Sequence, residues 1–153
     1  MDLLRRAGLR ATLARCGVLE ALGEAAGERR HLSATEVHQR LAGQGLTVEL
    51  STVHRVLTSL VGLGVAHSVP AGAAATFGLA DQPHHHAVCQ SCGAVRQLSA
   101  PTVADSVAAA RAVDVEVDPQ GGSGGVVAYG RCTPCRSMTT DRPGRARRGG
   151  GRP

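Results

Sequence analysis

His84-His85-His86-Ala87-Val88-Cys89-Gln90-Ser91-Cys92-Gly93 sets three histidines against a Cys-x-x-Cys pair, and a second pair, Cys132-Thr133-Pro134-Cys135, follows far downstream. Four thiolates in two tight pairs supply a complete tetrahedral shell for zinc, which accepts sulfur ligands and has no redox chemistry of its own. The two-residue gap lets the chain turn back so that both sulfurs of a pair face one ion. The stretch 93–131 between the pairs is too long for a small zinc ribbon, so a metal here clips together two distant ends of a folded unit. The competing reading, two surface disulfides or buried thiols, is disfavoured by the spacing.

Upstream, the first 60 residues read as helices. Leu3, Leu4 and Ala7 open a short amphipathic stretch, and from Thr12 the residues Leu13, Cys16, Val18, Leu19 and Leu22 recur at helical spacing, stopping near Gly23 before a charged loop to Arg30. Ser33-Ala34-Thr35-Glu36 is a capping box, in which hydroxyl and carboxylate satisfy backbone donors at a helix start. The helix it opens carries Val37, His38 and Leu41 and ends at Gly43 or Gly45. A third helix starts with Ser51 as N-cap, buries Val53, Val56, Leu57 and Leu60, and stops around Gly62 and Gly64. Helix, short turn, helix is the geometry that sends its second member into a major groove. The polar face of the third helix carries Thr52, His54, Arg55, Thr58 and Ser59 and no carboxylate to repel a polyanion.

After Gly64 the period changes. Val65–Val69 and Thr76–Ala80 are strand candidates flanking the turn-forming Pro70-Ala71-Gly72, and a hairpin in that place is the wing of a winged helix. Asp81-Gln82-Pro83 reads as a hinge. Residues 84–136 read as a smaller α/β unit: a strand segment from Ala87 to Leu98 interrupted at the Cys pair, a helix from Pro101 to Val113, and a strand Val113–Val117 from its strict alternation. A turn at Gln120–Gly125 and a last strand Val126–Tyr129 complete it. The expected organisation is therefore α+β, with a winged helix-turn-helix at 1–80, a hinge at 81–83, an α/β domain with a four-cysteine zinc site at 84–136, and a disordered basic tail at 137–153.

Composition narrows the class. The 153 residues can support a core, but an aliphatic one, because Phe77 and Tyr129 are the sole aromatics. Five cysteines without a recognisable secretion signal fit a reducing, cytoplasmic setting, and no stretch approaches the ~18 apolar residues of a membrane span. The net charge of +5 comes entirely from the Arg-rich end after Cys135, so it is no argument for DNA binding by the folded part. Cys16 reads as a small core residue and His38 as solvent-exposed.

Leu9-Arg10-Ala11-Thr12, the helix Ser51-Thr52-Val53-His54-Arg55-Val56-Leu57, the run His84 to Gly93, and Tyr129-Gly130-Arg131-Cys132-Thr133-Pro134-Cys135 together resemble the ferric uptake regulator (Fur) family, in the right order over roughly residues 3–136. The resemblance implies homodimeric, metal-dependent transcription factors, usually repressors of metal-uptake or oxidative-stress genes, with a C-terminal dimerisation domain. It implies structural zinc on Cys89, Cys92, Cys132 and Cys135. It also implies DNA contacts from Thr52, His54 and Arg55, assisted on the backbone by Arg10 and Arg15, with double-stranded operator DNA as partner and neither membrane nor small-molecule substrate.

For a second, regulatory metal, an extended 84–86 puts His84 and His86 on one face and His85 on the other, beside Asp81. Family members place a ligand just before the capping box, where this chain has His31, and zinc- and nickel-sensing relatives place one in the wing, where it has His67. Taken alone, His31 reads as a surface histidine near a helix cap. A site joining His31 or His67 to His84 and His86 bridges the two domains and couples metal to DNA. Several departures bear on the ion. Iron- and peroxide-sensing relatives carry carboxylates at the positions of Gly78 and Gln97, zinc-sensing ones a cysteine near Leu79, and many a histidine near Gly124. His54 stands where Tyr is usual and Leu13 where Pro is common. A His-rich set with few carboxylates suits Zn or Ni better than Mn, with Fe the remaining candidate. The expected function is thus a metal-dependent repressor and not an enzyme. The alternatives are a peroxide-sensing repressor of the same family or, from another class, a thiol–disulfide or metal-buffering protein. A zinc hydrolase is disfavoured because four sulfurs leave no coordination position for water.

Overall fold

The computed structural model describes residues 2–72, 74–117 and 125–140. The N-terminal half contains α1 (Asp2–Arg6), α2 (Leu13–Gly27), β1 (Leu32–Ser33), α3 (Ala34–Gly43), α4 (Leu50–Gly62), β2 (Ala66–Ala71) and β3 (Ala74–Leu79). The C-terminal half contains β4 (His85–Cys89), β5 (Val95–Leu98), a 3-10 turn (Ala100–Val103), α5 (Ala104–Arg111), β6 (Val127–Gly130) and α6 (Thr133–Thr140). Three helices and the antiparallel sheet β1-β3-β2 form a winged helix. The second sheet, β5-β4-β6, is mixed, with β4 antiparallel to β5 and parallel to β6. No described helix is long and apolar enough to cross a membrane.

The capping box forms as expected. Glu36 N–H donates to Ser33 Oγ at 3.2 Å, and the Glu36 carboxylate accepts from Ser33 N–H at 2.7 Å. Gly64 stops α4 by entering the left-handed region at φ 67°, which lets Val65 N–H reach back to the Leu60 carbonyl at 2.9 Å.

Four helix boundaries differ from the expectation, each for a local reason. α2 runs on through Gly23 to Gly27, because Ala25 still lies on its buried face (1% exposed). Its end is made by Arg29, a non-glycine residue at φ 55°, with Arg30 N–H donating to the Ala25 carbonyl at 2.8 Å. α4 starts one residue before Ser51, capped by Glu49 through its backbone alone: Thr52 N–H donates to the Glu49 carbonyl at 2.9 Å. The strand expected at 113–117 does not form. Asp114 turns left-handed (φ 60°) and Val115 N–H closes on the Ala110 carbonyl at 3.0 Å, so the alternating stretch is the C-cap of α5, with Val113 and Val115 exposed. α6 carries helix through Thr140 into the stretch expected as tail. The rest of that tail, 141–153, lies outside the described residues, as does most of the expected turn at 120–125.

The main core is aliphatic. Val18, Leu22, Val37, Leu41, Val53, Leu57 and Leu60 of α2, α3 and α4 are fully buried against Leu32 and Leu79 of the sheet. Val56 packs half-buried at its edge, joined by Cys16 as expected. A smaller cluster joins Val69 and Ala71 of the wing to Val88 and Val95 of the second sheet. The wing therefore packs on the C-terminal half directly. Two backbone contacts reinforce the junction, an Arg30–Arg96 bridge and Gln97 N–H donating to the Arg29 carbonyl at 3.2 Å.

Candidate metal centres

Two clusters of metal-ligating side chains occur among the described residues: Cys89, Cys92, Cys132 and Cys135; and His31, His67, His84 and His86. Within each cluster the ligand atoms all lie within 4.8 Å of one another.

The cysteine cluster forms where β4 ends, beside the start of α6. Cys89 terminates β4, and a tight turn returns Gly93 N–H to the Cys89 carbonyl at 2.8 Å, with Gly93 at φ 72°. The parallel pairing of β4 with β6 sets Cys89 opposite Gly130, which delivers Cys132 and Cys135 to the same place. Cys92 Sγ and Cys132 Sγ are 3.8 Å apart and no disulfide joins the described cysteines, so the disulfide reading is not met. A Zn–S bond of about 2.3 Å places neighbouring sulfurs of a tetrahedron about 3.8 Å apart, so the spacing fits zinc. The cluster also polarises its own thiols. Hydrogen bonding from the Cys132 backbone, whose N–H lies 3.3 Å from Cys89 Sγ, leads the effects that pull the Cys89 thiol down to about 6. The thiols of Cys132 and Cys92 push Cys135 up to about 12. A cation among the four sulfurs favours the thiolate form that binds it.

The histidine cluster lies at the junction of the two halves. His31 precedes β1, His67 is the second residue of β2, His84 follows the 81–83 segment, and His86 is in β4. His31 is 3% exposed, so the reading of it as a surface residue is corrected: the main-chain path into β1 turns its ring inward against the wing. Its Nε2 lies 2.7 Å from His67 Nε2 and 3.1 Å from His86 Nε2, and the last two are 3.1 Å apart. Each Nε2 presents either a proton or a lone pair, so among three such atoms at least two present the same thing. One close pair is therefore lone pair against lone pair, or N–H against N–H, whatever the tautomers. A cation receiving three lone pairs removes that conflict.

His84 completes the set. Its Nδ1 lies 2.7 Å from the Gln82 carbonyl, which accepts only from an N–H. Nδ1 therefore donates, and the ligating nitrogen is Nε2, which is buried with no protein partner. Sequence reasoning missed this orienting carbonyl, as it must, because a backbone acceptor has no residue signature. Burial above all, then the neighbouring imidazoles, holds His31 down to about 2 and His67 down to about 4, so both keep their lone pairs at neutral pH. His85 faces the other way, and its Nδ1 accepts from Val126 N–H at 3.1 Å. Asp81 is exposed and outside the cluster, and His38 is half-buried.

The candidate DNA-contacting residues divide. Arg15, Thr52 and Arg55 line one shallow groove between the start of α2 and α4. Arg55 donates to Thr52 Oγ1 at 3.0 Å, and Arg15 is steadied by donating to the Arg10 carbonyl at 2.9 Å. His54 is exposed on α4 but does not line that groove.

Residues 6–117 match the sequence model of the Ferric uptake regulator family. The chain is 46% identical over 95 residues to the ferric uptake regulation protein of Pseudomonas aeruginosa, a match spanning 60% of this chain and 69% of that one. Its fold is similar to the crystal structure of the Vibrio cholerae ferric uptake regulator (TM-score 0.67, 30% identity, 86% of this chain and 98% of that one). It is also similar to the Pseudomonas aeruginosa ferric uptake regulator solved with manganese (TM-score 0.65, 33% identity, 86% and 96%). Cys132 and Cys135 lie beyond the family match, so their place in the metal cluster rests on geometry.

Proposed function

The chain belongs to the ferric uptake regulator family of metal-responsive transcription regulators, and on that premise we propose a homodimeric repressor of metal-homeostasis genes. It binds operator DNA when His31, His67, His84 and His86 share a divalent cation, while Cys89, Cys92, Cys132 and Cys135 hold structural zinc. The observation that carries this reading is the meeting of three Nε2 atoms, 2.7–3.1 Å apart, from β2, β4 and the approach to β1. A cation there supplies a bond between the wing and the second sheet. The residues supply the rest: the Gln82 carbonyl orients His84, burial keeps His31 and His67 unprotonated, and the shared Val69–Val88 core holds the wing against the sheet. In a dimer this fixes the angle and spacing of the two α4 helices, each offering Arg55 and Thr52 to a groove edge and Arg15 and Arg10 to phosphates.

The all-imidazole donor set supports zinc or nickel as the regulatory ion. The absence of carboxylates among the clustered ligands disfavours manganese, and it also weighs against peroxide sensing by bound iron. The test is His84→Ala. The variant is expected to fold, keep one zinc per chain and lose metal-dependent operator binding in gel-shift titrations. A full metal response by the variant overturns the assignment, as does tighter Mn than Zn binding to the zinc-loaded dimer.

A further inference from the structure

A cleft of about 410 Å³ separates part of the wing from the second sheet, and Arg30, His31, Ser33, Glu36, Thr76 and Arg96 contribute to its lining. An isolated antiparallel bridge sets Arg30 directly opposite Arg96, which turns both side chains to one side of the local ladder. Like charges in that position repel. Arg30 has carboxylate partners, with Glu28 and Glu36 each 3.5 Å away. Arg96 has none among the described residues. The hydroxyls are already committed: Ser33 donates to the Glu36 carboxylate at 2.8 Å and Thr76 to the Val69 carbonyl at 3.2 Å. The Glu36 carboxylate is likewise occupied, by Ser33 and Arg30. His31 brings the decisive group. It is 3% exposed, and its Nδ1 is buried with no hydrogen-bond partner among the described residues. When Nε2 gives its lone pair to a cation, the one N–H of the neutral ring is on Nδ1. That leaves a buried donor unsatisfied at a cleft lined by two guanidinium groups, whereas the equivalent donor of His84 has the Gln82 carbonyl.

We propose that this cleft is an anion site, in which a phosphate-class oxyanion lies between Arg30 and Arg96 and accepts the His31 Nδ1–H. For the state of His31 this rests on the four-histidine reading. An oxyanion offers enough acceptor oxygens for two guanidinium forks and one N–H, and its charge offsets the repulsion across the bridge. By accepting the N–H it also fixes the tautomer in which Nε2 ligates, as orienting partners of metal-bound histidines do. Anion and regulatory cation should therefore bind cooperatively, each raising the affinity of the other by one common factor. The burial of His31 favours a small free ion over a phosphate of the DNA backbone, which cannot leave its strand.

The experiment uses the full-length protein with its cysteine zinc in place, with and without a second zinc on the histidines, and with free zinc removed so that none remains to bind phosphate. Binding of radiolabelled inorganic phosphate is measured by equilibrium dialysis at constant ionic strength for wild type, Arg96→Gln and His84→Ala. Wild type is expected to bind one phosphate per chain, about 10-fold or more tightly when the histidine zinc is present. Arg96→Gln should weaken phosphate binding by about 10-fold or more, while its zinc affinity in phosphate-free calorimetry stays that of the wild type. His84→Ala, without the second zinc, should bind phosphate at the weaker, uncoupled level. No saturable phosphate binding by wild type, or equal binding by Arg96→Gln, would overturn the proposal and leave the four-histidine reading standing. Equal phosphate affinity with and without histidine zinc would do the same. Displacement of phosphate by an operator duplex would overturn the assignment to a free ion. A wild type that takes up no second zinc, read by elemental analysis before phosphate is added, would overturn the four-histidine reading and this proposal with it.

Discussion

His67 Nε2 in the wing stands 3.1 Å from His86 Nε2 in the second sheet. The two side chains belong to different sheets and share no backbone ladder. Their nitrogens meet because the wing and β4–β5 bury Val69, Ala71, Val88 and Val95 in a common cluster. Metal at this junction couples two elements that are already in register, so its binding energy goes into holding an angle rather than creating an interface.

Removing either imidazole should separate metal sensing from folding. His67→Ala and His86→Ala are each expected to lower regulatory-metal affinity by about 100-fold or more. Both should retain one zinc per chain and the secondary structure of the wild type. Calorimetric titration with Zn²⁺, alongside elemental analysis of the purified variants, checks both halves of the expectation.

The cysteine cluster should behave oppositely. Structural zinc sites contribute about 10–16 kcal/mol of apparent binding free energy, comparable to the whole stability of a domain. Cys132→Ser is expected to release zinc and unfold the β6–α6 segment, whereas Cys16→Ser, half-buried beside the main core and outside the cluster, should keep its zinc. Zinc content and hydrogen exchange at residues 127–137 distinguish the two.

The cysteine pairs, the histidine run and the helix–helix–hairpin order were all legible because each is a local pattern: ligand spacing, a capping box, a change of period at Gly64. What stayed hidden was set by closures that no residue type announces. Gly23 read as a stop because glycine usually is one, yet burial of Ala25 carried α2 further and Arg29 took the left-handed role. Val113-Asp114-Val115 mimicked a strand because a helix C-cap and a strand edge can share an alternating pattern. His31 read as a surface residue because its burial comes from packing against His67 and His86, 36 and 55 positions away in sequence.

On the DNA side, Arg55 and Arg15 should differ in kind. Arg55 sits on α4 over the groove it shares with Thr52, so Arg55→Ala is expected to cost about 1–3 kcal/mol at the operator and to relax sequence preference. Arg15, held by the Arg10 carbonyl, is the contact proposed for phosphate. Arg15→Ala should weaken all sequences alike and reduce the slope of log affinity against log salt by about 1. Fluorescence anisotropy with operator and scrambled duplexes over a salt series tests both.

Acid should weaken the fold through the histidine centre, and the sign follows from burial. His31 and His67 are held down to about 2 and about 4, by burial first and by the neighbouring imidazoles second. In the unfolded chain both return to about 6.5. As pH falls below 6.5 the unfolded chain takes up two protons that the folded chain refuses, so stability declines with falling pH. The decline levels near pH 4 for His67 and near pH 2 for His31. Between pH 6.5 and 5.5 the two groups together should cost roughly 2 kcal/mol. The measurement is urea unfolding of protein carrying cysteine-bound zinc but no regulatory metal, at both pH values. A His31→Ala/His67→Ala variant, which retains every other titrating group, should lose about 2 kcal/mol less over the same interval. Equal losses in the two proteins would mean that these imidazoles are not held neutral by burial at the junction.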